Sequence, residues 1–156
     1  MSADRAGPRL AAPDELAATG RMLHDFNREF DEPTPEPAWL ARRLGELVAE
    51  GDTDVLLIGP GPDGLAVLRY RRSLFTPGLE CYLAELYVLP ALRGQGRGRR
   101  LMEAVLERAS ARGADYIELS TEENDVAARA LYESLGFSNR GGRPDGPLSY
   151  YYEREL

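Results

Sequence analysis

The sequence predicts a mixed α/β fold. Two observations lead to it. Between residues 54 and 89 three strand-like runs follow one another through short Gly/Pro turns, the signature of antiparallel hairpins. From residue 90 onward, strand-like runs alternate instead with amphipathic helical runs, the signature of crossover connections. Hairpins followed by crossovers give one sheet with both kinds of pairing.

Each element has its own justification. Residues 9–12 read as a short first strand, and Pro13-Asp14 as a helix start. Residues 15–30 carry Leu16, Thr19, Met22, Leu23, Phe26 and Phe30 at helical spacing. Residues 31–37, with three prolines, form a loop. Residues 38–50 form a second helix with Trp39, Leu40, Leu44, Leu47 and Val48 to one side, stopped by Gly51. Residues 54–58 and 65–71 pair across the turn 59–64, and Thr76-Pro77-Gly78 leads into the strand 80–89, which Pro90 ends. The helix from 97 to 112 buries Leu101, Met102, Val105, Leu106 and Ala109. Residues 116–120 are a strand. Residues 126–135 are a helix closed by Gly136, 137–139 begin a strand, and 148–154 are a last, tyrosine-rich strand.

Composition sets outer limits. At 156 residues the chain is read as one domain with a proper core, and 43% hydrophobic and 29% charged residues are ordinary for such a domain. The start, residues 1–7, is polar, and no apolar run reaches membrane-spanning length, so no membrane partner is expected and the location is read as cytoplasmic. One cysteine excludes an internal disulfide, and one cysteine with one histidine argues against zinc or another metal centre. A net charge of −7 argues against a nucleic-acid partner.

Arg93-Gly94-Gln95-Gly96-Arg97-Gly98 is the most informative stretch. It lies where a strand turns into a helix. Glycines there leave the backbone bare, and the first N–H groups of a helix have no internal acceptor. With the helix dipole they form an anion site suited to phosphate. Arg93, Arg97, Arg99 and Arg100 make it a basic spot on an acidic chain. The spacing Gly-x-Gly-x-Gly differs from the dinucleotide fingerprint, and no P-loop motif exists.

The run Glu85-Leu86-Tyr87-Val88-Leu89-Pro90 followed by Arg93, Gly96 and Gly98 resembles the acyl-CoA-binding motif of the GNAT (Gcn5-related) N-acetyltransferases. Asn124, Ala127, Ala128, Ala130-Leu131-Tyr132 and Leu135-Gly136-Phe137 resemble a second segment of that family, in the right order and at the right separation. The resemblance implies a mostly antiparallel sheet with one splayed parallel strand pair and about four helices. It implies an enzyme that moves an acetyl group from acetyl-CoA to a primary amine of a small molecule or peptide, by direct attack through a tetrahedral intermediate. It assigns Gly94, Gln95, Gly96, Arg97, Gly98, Arg93 and Arg99 to the pyrophosphate and Leu86, Tyr87 and Val88 to the pantetheine arm. Asn124 would contact the coenzyme, Tyr132 would contact it and protonate its sulfur, and Glu85 would be the base, with Glu80, Glu122 and Glu123 as weaker candidates.

The remaining candidates have simpler readings. Cys81 is a buried strand cysteine without a histidine partner, His24 an exposed residue, and Trp39 a packing anchor. Asp25, Glu29, Asp31, Glu32 and Glu36, with Tyr150, Tyr151 and Tyr152, suggest an acidic, aromatic-rimmed cleft for an amine. Phe26-Asn27-Arg28-Glu29-Phe30 resembles a segment of the aminoglycoside 3-N-acetyltransferases. The strand at 148–154 would offer an edge for a homodimer. The alternative is a sensor or regulatory module that binds acyl-CoA without chemistry, and such a module needs neither Tyr132 nor Glu85.

Overall fold

The computed structural model describes residues 5–156, so the first four residues of the polar start lie outside it. The described residues form two compact units, one ending at Glu118 and one running from Leu119 to Leu156. Among them no helix is long and apolar enough to cross a membrane, and no group of histidine, cysteine or acidic residues is arranged to hold a metal.

The first unit is a five-stranded sheet in sequential order. Its elements are β1 (Arg9–Leu10), α1 (Leu16–Glu29), α2 (Pro37–Glu50), β2 (Thr53–Ile58), β3 (Gly64–Arg72), β4 (Leu79–Val88), α3 (Arg97–Ala111) and β5 (Ala114–Glu118). The pairs β1–β2, β2–β3 and β3–β4 are antiparallel, and β4–β5 is parallel. This is the mixed class expected. Every residue of β2 and most of β3 are buried, as central strands covered on both faces must be.

Alternation along the strands assigns the faces. Leu57, Leu65, Val67 and Tyr87 share a core with Met22 and Leu23 of α1 and Leu44 of α2. The opposite face takes α3. A Cβ on Gly64 would sit 3.2 Å from Leu101 Cδ1, and Leu101, Met102 and Val105 are wholly buried. A polar clasp also binds α3 to the sheet. Asp54 accepts from Arg108 Nε at 2.8 Å, Arg112 Nη1 at 3.2 Å and the Tyr70 hydroxyl at 3.0 Å.

Two irregularities in β4 shape the space beside it. Its register against β3 slips by one residue, since Val67 faces Glu85 whereas Leu68 faces Leu83, which leaves Ala84 as a bulge. Before the bulge Cys81 and Leu83 point toward α3. After it the odd-numbered residues, Glu85 and Tyr87, point toward α1 and α2. The second irregularity is that the parallel ladder with β5 ends at Tyr82 and Glu118. Residues 83–88 therefore have a sheet partner on one side only.

The second unit holds α4 (Val126–Ser134). Asp125 caps it, accepting from the Ala128 amide at 3.1 Å. Gly136, at φ 91°, closes it.

Several expectations are corrected. Neither 137–139 nor 148–154 is a strand. One backbone bond, Ser149 N–H to the Asn139 carbonyl at 2.7 Å, joins the two segments. Gly141 and Gly142 both lie at positive φ, and Pro144 and Pro147 lack the amide a ladder requires. Tyr150, Tyr151 and Tyr152 are exposed, so the strand edge expected for a homodimer is not formed. β5 begins at Ala114 rather than 116, because Gly113 reverses the chain and its carbonyl accepts at once from the Leu79 amide. On α2 only Leu44 is buried, and Trp39 is exposed under the Arg43 guanidinium. Phe30 lies just past the end of α1 and is exposed. His24 is half-buried, its Nδ1 3.0 Å from the Pro35 carbonyl.

Candidate active site

The glycine turn is built by backbone conformation. After β4 a single 3-10 turn, Pro90–Leu92, leads to Gly94 at φ 76° and Gly96 at φ 85°, angles that strain any residue bearing a Cβ. Gly96 is the N-cap of α3, and no side chain caps this end. The first backbone bond of the helix runs from Arg100 N–H to the Gly96 carbonyl at 3.1 Å. The amides of residues 94–98 have no acceptor among the described residues. Nothing within 4 Å would meet a Cβ on Gly94 or Gly96. The result is an open row of N–H donors at the positive end of a helix of 15 residues.

The arginines divide by duty. Arg93 donates from Nε to the Val88 carbonyl at 2.9 Å and from Nη2 to Glu29 at 2.9 Å. Its guanidinium also lies over the Tyr87 ring. Arg97 donates to Asp63, Gln95 Oε1 and the Leu92 carbonyl. These two fix the turn to α1 and to the β2–β3 connection. Arg99 and Arg100 face solvent. Glu29, read from the sequence as part of an acidic acceptor cleft, is instead taken up by Arg93.

Along the part of β4 beyond its ladder with β5, Leu86 and Val88 are half-buried and Tyr87 is buried, stacked on Phe26 at 4.5 Å. Burial raises the Tyr87 pKa, with Glu29 adding to the effect. Glu85 is half-buried on the α1–α2 face and has no hydrogen-bond or ion-pair partner among the described residues. Burial alone pushes its carboxyl above the usual carboxylate range. A lone carboxylate with a raised pKa beside an open strand edge is suited to taking a proton. Glu80 is paired with Arg71, and Glu122 and Glu123 are exposed. Cys81 is buried on the α3 face, where burial lifts its thiol pKa to about 11, which leaves it inert.

In the second unit, Tyr132 sits on α4, buried, with its ring edge against Phe137 at 5.9 Å. Its hydroxyl has no partner among the described residues. Burial, with a contribution from Asp125, pushes its pKa up to about 12. Such a phenol stays protonated at neutral pH and has a hydrogen to donate. Asn124 is exposed, and capping falls to its neighbour Asp125. The Asn124 side chain is thereby left without a partner among the described residues.

Sequence reading missed Asp63, whose role rests on a pairing 34 positions away, and the bulge at Ala84. It also passed over Arg69, the first charged residue after the apolar run 65–68 of β3, and that break in the run is the signal that marks it.

Comparison with known proteins agrees with this geometry. The profile of the acetyltransferase (GNAT) family matches residues 13–137. A mycothiol acetyltransferase of Thermobispora bispora is 36% identical over 121 residues, covering 74% of this chain and 35% of that protein. A thialysine N-epsilon-acetyltransferase of Bos taurus is 35% identical over 128 residues, covering 74% of this chain and 72% of that protein. The chain thus spans about a third of the length of the mycothiol enzyme and most of the thialysine enzyme. A solved structure of an Arthrobacter sp. FB24 protein, provisionally named an acetyltransferase, superposes with a TM-score of 0.86 at 44% identity, covering 100% of this chain and 99% of that one.

Proposed function

Because the chain belongs to the acetyltransferase (GNAT) family, we propose that it transfers the acetyl group of acetyl-CoA to a primary amine of a small molecule or peptide, with residues 1–156 acting as one catalytic domain. The observation that carries this reading is the row of unpartnered amides from Gly94 to Gly98 with open space above it. No packing need accounts for two left-handed glycines with nothing near them, whereas a diphosphate uses every feature of the turn. Arg93 and Arg97 hold the turn rigid, and Arg99 adds positive charge at its rim.

Acetyl-CoA brings the activated acetyl thioester. The bare edge of Leu86, Tyr87 and Val88 accepts its amide-bearing arm as a further strand would be accepted. The chemistry is then mostly positioning and proton traffic. An alkylammonium has a pKa of about 10 and must lose a proton before it can attack. Glu85, desolvated and unpaired, takes that proton. The amine nitrogen bonds to the carbonyl carbon, the carbon–sulfur bond breaks, Tyr132 gives its phenolic proton to the leaving sulfur, and the second proton shed by the new amide nitrogen restores the phenol. Asn124, released from capping, offers an amide to the coenzyme.

A thiol-release assay with acetyl-CoA over antibiotics, polyamines, amino acids and peptides tests the proposal. Release of free coenzyme A that depends on an added amine is the expected result. Coenzyme binding without release from any amine would contradict it.

A further inference from the structure

Arg69 is a charged side chain with no ion-pair partner among the described residues. It stands in β3, half-buried, and its Nε is buried with no hydrogen-bond partner. No hydrogen bond or ion pair involves its guanidinium among the described residues. The other half-buried arginines of the first unit all have carboxylates: Arg9 has Glu15, Arg97 has Asp63, and Arg108 and Arg112 share Asp54. Of the acids near it in register, Glu80 and Glu118 are both taken by Arg71, Asp54 is taken by Arg108 and Arg112, and no ion pair joins Arg69 to Glu85 among the described residues. A guanidinium partly stripped of water and left unpaired is unfavourable, and native proteins keep such a group for a reason.

Its position supplies the reason. Arg69 pairs in register with Tyr82, and Val67, two residues back, pairs with Glu85. Residues two apart on a strand share a face, so Arg69 and Glu85 lie on the same α1–α2 face, as cross-strand diagonal neighbours about 7–8 Å apart. Both lie beside the point where the β4–β5 ladder ends, at Tyr82 and Glu118. The phosphate turn lies beyond the other end of β4, six strand positions or about 20 Å from Tyr82. Arg69 therefore does not serve the coenzyme phosphates.

We propose that Arg69 is an acceptor-specificity residue that binds a carboxylate carried by the amine substrate, which makes the acceptor an amino acid or a peptide with a free carboxyl rather than a polyamine. The inference rests on the acetyl-transfer reading above. A planar guanidinium with an unused Nε–H matches a carboxylate in geometry and charge. With the carboxylate on Arg69, the amine end of the same molecule is directed along the face to Glu85. The charge of α1 does not oppose this, since its Glu29 is neutralised by Arg93 and its Asp25 is set against Arg21 and Arg28 on the same helix.

The test uses matched amines in the thiol-release assay. Each of several amino acids and dipeptides is supplied as the free carboxylate, as the carboxamide and, where it exists, as the decarboxylated amine. In the wild type, kcat/KM for at least one carboxylate exceeds that for its carboxamide by about thirtyfold, the size of one charge-assisted bond. Arg69→Gln brings that ratio close to one through a rise in the KM of the acid, and Arg69→Lys keeps part of it. Decarboxylated amines or carboxamides used as well as the acids overturn the inference and leave acetyl transfer standing. So does an Arg69→Gln variant that keeps the wild-type ratio. Absence of thiol release from every amine overturns both readings. Should the variants lose the melting-temperature rise given by acetyl-CoA, the wild-type ratio alone decides.

Discussion

At the scale of single residues, the two groups proposed to carry protons owe their raised pKa values to the same first cause, burial. It acts in opposite directions on function. The raised pKa of Glu85 means that its basic form is lost at a higher pH than for an ordinary carboxylate. We expect kcat/KM to rise with pH along a limb centred above the ordinary glutamate value of 4.5, and Glu85→Gln to remove that limb with a loss of about a hundredfold or more. Tyr132, at about 12, keeps its proton far above neutrality. Tyr132→Phe is expected to lower kcat by about a hundredfold while the affinity for acetyl-CoA, read by calorimetry, is retained. Wild-type kcat in the variant at every pH would remove Tyr132 from the mechanism. Both residues were candidates in the sequence because each lies in a motif. Arg69 breaks an apolar run in the sequence, but its missing partner shows only once the sheet register is known.

At the scale of elements, the turn before α3 and the bulge in β4 frame the proposed site. Gly96 at φ 85° tolerates no side chain without strain of about 1–2 kcal/mol. Gly96→Val is therefore expected to weaken acetyl-CoA binding at least tenfold in calorimetry, because the amides it must aim are turned away. Removing Ala84 would make the β3–β4 pairing regular, with Glu85 still opposite Val67 on the α1–α2 face, and would take away only the local twist of the bulge. The expected outcome is a folded protein, checked by circular dichroism, that binds coenzyme and releases thiol more slowly than the wild type. The glycine turn could be read directly, because punctuation by Gly and Pro is local. The bulge could not, since one extra residue in a strand leaves no compositional trace. The last two expected strands failed for the opposite reason. Their aromatic content is strand-like, but the connection of Gly141, Gly142, Pro144 and Pro147 permits one rung of hydrogen bonding and no ladder.

At the scale of the whole molecule, hydrophobic periodicity gave the order of helices and the central strands, and the long-range polar clasps stayed hidden until the register was known. The clasp at Asp54 governs stability. Burial by itself would raise the Asp54 pKa, but bonds from Arg108 and Tyr70 and the charges of Arg108 and Arg112 outweigh it, so the value is lowered. A carboxylate lowered by folding contributes stability above its unfolded value of about 3.8, and that contribution is lost as pH falls through the lower, folded value. Asp54→Asn should cost about 2–4 kcal/mol in urea unfolding at neutral pH, and the difference from wild type should shrink below about pH 4. A difference that stays constant down to pH 2 would mean that the clasp carries no charge-dependent stability.

The amide row at the start of α3 underlies every step assigned to this protein. Its most direct test is an NMR titration of the nitrogen-15-labelled protein with coenzyme A. The amide signals of Gly94 to Gly98 are expected to move together and to saturate at one equivalent, with those of Leu86 to Val88 shifting at the same point. Signals from 94–98 that stay in place at millimolar coenzyme A, or that move only after another region has saturated, would contradict it.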